Sequence, residues 1–156
     1  MPETTTQTHR VSDELQLAWA GVTDRGRRRE NNQDSFLARF PLFVVADGMG
    51  GHAGGEIASQ STVARLDEMV GDGEVSDATI QTALHHAVDD IHLHPETTDE
   101  GTGTTLTGAY LDHAEDGTPQ WTVLNIGDSR VYLKRDDRLV QVTTDHSVVQ
   151  ELIASG

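Results

Sequence analysis

The sequence has no cysteine among its 156 residues. This absence excludes disulfide bonds, zinc sites built on thiolates and enzymes that use a thiol nucleophile. A metal ion bound to this chain would have to be held by oxygen or imidazole ligands.

Positive charge is also scarce. Lysine and arginine together number 11 against 26 acidic residues, which gives a formal net charge of -15, and Lys134 is the single lysine. The electric field of such a protein repels polyanions, so neither nucleic acid nor an anionic membrane is an expected partner. A local basic site is still compatible with this balance.

No segment approaches the roughly 20 consecutive apolar residues that cross a bilayer. The amino terminus, MPETTTQTHRVSDELQ, has neither a basic start nor an apolar run, and it therefore does not resemble a secretory signal. We predict that residues 1–13 form a disordered leader, that residues 14–156 form one domain, and that the protein is cytoplasmic.

The order of the periodic segments predicts an α+β fold. Strand-like patterns cover LQLAWAGVTD and FLARFPLFVVAD, and residues 43–46 are apolar on both faces and expected to be buried. Two amphipathic helices are predicted next, over residues 54–70 and from a cap at Ser76 or Asp77 to Pro95. Four strand-like runs with short connections follow and predict antiparallel pairing, before a helical HSVVQELIAS. Strands grouped apart from helices favour antiparallel sheet covered by helices.

Residues 43–55, FVVADGMGGHAGG, end an apolar strand in Asp47 and continue with five glycines in eight positions. Two kinds of chemistry fit this pattern: a phosphate cradled by backbone amides, or a divalent cation held by Asp47 and the carbonyl oxygen of Gly48, which no side chain shields. A structural explanation also fits, in which Asp47 caps a turn and the glycines permit tight backbone geometry.

The segment GMGGHA matches the dinucleotide-binding fingerprint, and Asp67 follows at about the expected distance. Asp67, however, falls inside a predicted helix instead of closing a second parallel strand, and the Asp47 carboxylate would crowd a pyrophosphate. No Gly-Lys-Ser/Thr follows, which also disfavours a P-loop.

Two other loops place charged residues at strand ends. TDRGRRRENNQDS, residues 23–35, brings four arginines near Asp34, so that a guanidinium could grip phosphate while Asp34 orients it. NIGDSR, residues 125–130, puts Asp128 in what we predict to be a two-residue hairpin connection. Each loop alone is explained by a solvated turn, but the three together favour a metal and phosphate site.

Taken in order, TDRGRRRENNQDS, ADGMGGHAGGEIAS, GTTLTGAYL and NIGDSRVYLKR followed by TTDHS resemble the bacterial metal-dependent (PPM, type 2C) serine/threonine protein phosphatases. The resemblance implies a four-layer α/β/β/α sandwich of two antiparallel sheets flanked by helices. It also implies that a metal-activated water hydrolyses phosphoserine and phosphothreonine. The implied cofactors are two or three Mn²⁺ or Mg²⁺ ions, and the implied partners are phosphorylated proteins and a serine/threonine kinase.

Carried over by position, the resemblance makes Asp47 the carboxylate that bridges two metal ions and Gly48 a ligand through its carbonyl oxygen. Asp128 corresponds to a ligand of a third, weaker metal site. Gln33 stands where many members have a glutamate that hydrogen-bonds metal-bound water.

For phosphate binding and catalysis, the resemblance assigns Arg29 to grip the phosphate and Asp34 to orient that arginine, with Asp47 completing the catalytic set. Eukaryotic members place a histidine general acid directly after the Asp-Gly pair, where this chain has Met49. His52 is the nearest histidine, and its role is open.

Members of the family continue beyond the last residue of this sequence and supply two later aspartates, in DG-type and DN-type motifs. The chain therefore resembles the amino-terminal portion of the domain, truncated at its carboxyl end. Two functions follow: a phosphatase of which this chain is a part, or a catalytically inactive module that binds phosphoproteins or a regulatory partner.

Overall fold

The computed structural model describes residues 6–51, 53–73, 75–97 and 101–146. No helix in these ranges is both long enough and apolar enough to span a bilayer. In chain order the elements are β1 Gln7–Arg10, β2 Gln16–Trp19, β3 Asp34–Arg39, β4 Leu42–Met49, α1 Gly54–Gly71, α2 Asp77–Leu93, β5 Gly103–Thr104, β6 Leu106–His113, β7 Pro119–Ile126, β8 Tyr132–Arg135 and β9 Arg138–Gln141.

A five-stranded antiparallel sheet lies at the centre, in the order β3–β4–β6–β7, with β5 paired to the end of β4. Along β4 the side chains alternate, so that Val44 and Ala46 are buried while Val45 and Asp47 are exposed. The prediction that residues 43–46 are buried on both faces is therefore wrong for Val45, which is 48% exposed. The reason is that helices cover only one face of this sheet.

The covered face packs against α1 and α2. Helix α1 lies on β3 and β4 and packs against α2. The apolar stripe of each helix meets the apolar face of the sheet, as helical spacing predicts. Buried members of this core include Leu37, Leu42, Val44, Leu66, Val70, Ile80, Leu106 and Tyr110.

Both predicted helices are confirmed, and α2 begins as expected. Ser76 is its N-cap, and the Ser76 hydroxyl accepts a hydrogen bond of 3.2 Å from the backbone N–H of Thr79. The hydroxyl of Tyr110 donates to the carboxylate of Asp77 at 2.8 Å. This contact fastens the first turn of α2 to β6.

The other face of the sheet carries the hairpins β1–β2 and β8–β9, which do not join into one sheet within the described ranges. The indole N–H of Trp19 donates to the carbonyl oxygen of Ala38 at 3.0 Å, and its ring meets Phe43 edge-on with centroids 5.1 Å apart. A cavity of about 610 Å³ remains between hairpins and sheet, lined in part by Trp121 and Leu133. Both side chains are half-exposed.

The α+β class and the antiparallel pairing are confirmed. Of the four predicted layers, the described residues contain one pair of helices, the central sheet and two hairpins on its opposite face. The predicted final helix, residues 146–155, falls outside the described ranges apart from His146.

Two further predictions are wrong. Residues 1–13 are not all leader, because Gln7–Arg10 pair with β2 and His9 stacks on Phe40 with ring centroids 3.9 Å apart. The four residues of β1 are polar and exposed, so their composition gives no sign of a strand. The β7–β8 connection is not a hairpin, since β7 pairs with β6 and β8 with β9. Residues 127–131 instead carry the chain from one layer to the next.

Candidate metal and phosphate site

Two aspartates meet where β3 begins and β4 ends. The antiparallel register sets Asp34 directly opposite Asp47, and opposed residues project from the same face of a sheet. Both residues are exposed, on the side of Val45 and away from the helices. The sequence marks both as site residues but does not predict that they are neighbours.

The protonation of Asp47 reflects this arrangement. Although Asp47 is exposed as a residue, partial burial of its carboxyl group, followed by the charge of Asp34 and a hydrogen bond between the two carboxyl groups, raises the pKa of Asp47. The charge of Asp128 also raises this pKa, whereas the charge of Arg29 lowers it. The structure thus brings these four predicted residues close enough to interact, and the excess of carboxylate favours a bound cation.

Two hydroxyl residues connect Asp47 to the loop that carries Asp128. The backbone N–H of Asp47 donates to Oγ1 of Thr105 at 3.0 Å, and the N–H of Thr105 donates to the carbonyl oxygen of Asp47 at 2.9 Å. Oγ1 of Thr105 lies 2.7 Å from Oγ of Ser129. Neither hydroxyl is predicted from the sequence, because their pairing joins residues 24 positions apart; their only signal is their place inside two of the motifs.

Gly48 is buried beneath the start of α1. A Cβ atom at this position would lie 1.9 Å from the carbonyl oxygen of Gly55 and 2.7 Å from that of Gln33. The missing side chain makes room for a second backbone segment, which is a reason for this glycine that the sequence does not predict. The role of the Gly48 carbonyl as a metal ligand stays a prediction.

Gln33 fastens the arginine-rich loop to the turn between β4 and α1. Its side-chain amide donates to the carbonyl oxygen of Gly50 at 3.3 Å. The backbone carbonyl oxygen of Gln33 accepts hydrogen bonds from the N–H of Gly48 at 3.1 Å and from the hydroxyl of Ser59 at 2.7 Å. These contacts assign Gln33 a structural role, and its predicted contact with metal-bound water stays a prediction.

Arg29 and the aspartates line two different clefts, which share no lining residue. Arg29 lines a cleft of about 600 Å³ together with Arg28, Glu30 and residues of the glycine-rich turn. Asp34 and Asp47 line another, of about 320 Å³. Within the described residues, the carboxyl group of Asp34 is hydrogen-bonded to Asp47, and no contact supports its predicted role of orienting Arg29.

Asp128 is exposed on a loop that is held by contacts with a later segment of the chain. The guanidinium of Arg130 binds the carboxylate of Asp145 through two nitrogens, at 2.9 and 2.6 Å. The backbone N–H of His146 donates to the carbonyl oxygen of Gly127 at 2.7 Å. Asp145 and His146 thus hold the loop in place.

The ligand atoms at this site are of the type that a hard divalent cation prefers. Asp34 and Asp47 offer the carboxylate oxygens that Mg²⁺ and Mn²⁺ prefer. Within the described ranges, however, no three His, Asp or Glu side chains come together as a metal-binding group. Met49 is 61% exposed, and His52 lies outside the described residues.

The chain is similar to known protein phosphatases. The sequence model of the protein phosphatase 2C family matches residues 23–152. The serine/threonine protein phosphatase PstP of Mycobacterium tuberculosis is 40% identical over 148 residues, which are 91% of this chain and 27% of PstP. The serine/threonine phosphatase stp of Listeria innocua is 35% identical over 147 residues, which are 86% of this chain and 56% of that protein.

Solved structures agree with the sequence matches. The catalytic domain of PstP in complex with two manganese ions aligns with a TM-score of 0.70 at 33% identity, over 98% of this chain and 60% of that one. The chain spans 27% of PstP, 56% of stp and 60% of that solved chain.

Gly48→Ala should lower the free energy of unfolding by at least about 2 kcal/mol, because the added methyl group overlaps the Gly55 carbonyl and pushes β4 away from α1. Gly51→Ala is the matched control, since a Cβ atom there meets nothing within 4 Å, and its effect should stay below about 0.5 kcal/mol. Urea denaturation followed by circular dichroism measures both variants. If Gly48→Ala were as stable as Gly51→Ala, the backbone at Gly48 would not be in contact with the backbone at Gly55.

Asp47→Asn should raise the thermal unfolding midpoint in EDTA at neutral pH. Because the native-state pKa of Asp47 is raised, the stability this carboxyl contributes is complete below its ordinary value of 3.8 and is lost as the pH rises through the native-state value. Asparagine does not ionise, so its advantage should shrink as the pH falls toward 3.8.

The control for this comparison is Glu115→Gln, which removes the same charge from an exposed position between β6 and β7. Its midpoint should stay near that of the wild type at both pH values. An Asp47→Asn midpoint at or below that of the wild type at neutral pH would contradict the electrostatic interpretation.

Proposed function

The chain belongs to the protein phosphatase 2C family, and on that premise we propose that it forms part of a metal-dependent protein serine/threonine phosphatase. The reaction is hydrolysis of a phosphoserine or phosphothreonine ester to the free hydroxyl and inorganic phosphate. The observation that carries the proposal is the opposed pair of Asp34 and Asp47 within the field of Arg29. Phosphorylated proteins are the substrates, a serine/threonine kinase supplies them, and the cytoplasm is the compartment.

We assign Asp47 and the Gly48 carbonyl to a pair of Mn²⁺ or Mg²⁺ ions, and Asp128 to a third ion. Asp34 adds a second carboxylate beside Asp47. Bound divalent ions would supply a water of lowered pKa as the nucleophile and neutralise charge on the phosphoryl group. Manganese is supported by the PstP catalytic domain, which was solved in complex with two manganese ions. In this proposal the two later aspartates of the family pattern complete the coordination shell.

Arg29 is the residue that holds the substrate's phosphoryl group. Its planar guanidinium offers paired N–H donors that match two phosphoryl oxygens. As negative charge builds on those oxygens in the transition state, a fixed cation stabilises it without reorganisation. Hydrolysis then proceeds without a phosphorylated enzyme and requires no thiol, in agreement with the absence of cysteine.

A second function is favoured by one observation. The described residues contain no metal-binding group of three or more His, Asp or Glu side chains. With only part of the coordination shell, this chain would bind phosphoproteins through Arg29 without hydrolysing them, as an inactive or regulatory module.

Manganese-dependent hydrolysis of a phosphothreonine peptide and of p-nitrophenyl phosphate distinguishes the two functions. We expect turnover that EDTA abolishes and that falls at least about a hundredfold in Asp47→Ala, while Glu115→Gln stays at the wild-type rate. A folded wild-type chain that binds the phosphopeptide but never turns it over, and that stays inactive when it is extended through the two later aspartates of the family pattern, would overturn the proposal in favour of the binding module.

A further inference from the structure

The loop before β3 concentrates positive charge on a strongly acidic chain. Four of the 11 cationic residues fall within residues 25–29, although the net charge is -15. Several arginines elsewhere bind carboxylates, namely Arg39 with Asp67, Arg65 with Asp90 and Arg130 with Asp145. No ion pair joins residues 27–29 to a carboxylate in the described part of the chain.

Two of these arginines share one cleft. Arg28 and Arg29 both line the cleft of about 600 Å³, and Arg27 does not. The remaining walls come from Glu30, Asn31, Gln33, Gly50 and Ala53, so polar groups dominate the lining. A volume of this size lies in the range of ligand pockets, roughly 300 to 1,000 Å³. The cleft therefore has room for more than one phosphoryl group.

We infer that Arg28 determines substrate specificity by binding a second oxyanion, carried by a residue next to the phosphorylated serine or threonine. The inference rests on the proposed function, in which Arg29 holds the phosphoryl group. A guanidinium in the same cleft is then placed for a neighbouring anionic side chain, and its fork of donors suits a carboxylate or a second phosphate equally. Elsewhere the acidic surface repels such peptides, so acceptance of an acidic flank requires a local cation.

Glu30 limits the preference of this cleft for peptides with an acidic flank. Its carboxylate lines the same cleft and repels an incoming anion, which partly offsets the attraction of Arg28. Glu30→Gln should therefore strengthen binding of acidic-flanked peptides several-fold, in the direction opposite to Arg28→Ala.

The test uses three fluorescent phosphothreonine peptides in which the flanking residues are alanine, glutamate or phosphoserine. Anisotropy in EDTA gives the dissociation constants, and manganese-dependent turnover gives kcat/KM. We expect the wild type to favour an anionic flank about tenfold over alanine, the equivalent of one charge-assisted hydrogen bond. The better of the two anionic peptides identifies the oxyanion as carboxylate or phosphate.

Variants separate a direct contact from a general charge effect. In Arg28→Ala the ratio of affinities for the anionic-flanked and alanine-flanked peptides should fall to about one. Arg27→Ala removes the same charge outside the cleft, so this variant should retain the wild-type ratio. An equal loss in both variants, or no preference in the wild type, would overturn the inference.

The two proposals fail in different ways. Turnover without a flank preference leaves the phosphatase function intact and removes the role of Arg28. A flank preference in binding without any turnover keeps the role of Arg28 and removes the phosphatase function of this chain.

Discussion

The pairing of β3 with β4 is the constraint on which the candidate site depends. In this register Leu37 lies opposite Val44 beneath the helices, and Asp34 lies opposite Asp47 on the other face. A slip of one residue would turn the two apolar side chains away from the helices. Burial of Leu37 and Val44 in the core therefore fixes the position of two carboxylates that do not contribute to that core.

The residues at the candidate site also reduce the stability of the metal-free fold. The charge of Asp34 disfavours ionisation of Asp47, and the close approach of Gly48 to Gly55 excludes every larger residue. The core beneath, together with the link from Thr105 to Ser129, holds these groups in place. A bound cation would turn the repulsion between the carboxylates into attraction, which is how a destabilising feature of the metal-free chain serves binding.

Much of the fold follows from local patterns in the sequence. The period of α1 and α2, the cap at Ser76 and the strand-forming runs after Gly103 all predict elements that the structure contains. Predictions fail where the decisive partner is remote or belongs to another layer. Strand β1 depends on Phe40 and β2, and the exposure of Val45 depends on what covers the second face of the sheet. The site residues came from motifs, but the contact between Asp34 and Asp47 comes only from strand register.

The cation site at Asp34 and Asp47 is tested by a manganese titration of the metal-free chain, followed by electron paramagnetic resonance, for the wild type and Asp47→Asn. If the opposed carboxylates form the cation site, the wild type should bind manganese and the variant should bind it at least about tenfold more weakly, the loss of one charged ligand. Equal affinity in the two chains, or no binding by a folded wild type, would show that the opposed carboxylates do not form the cation site.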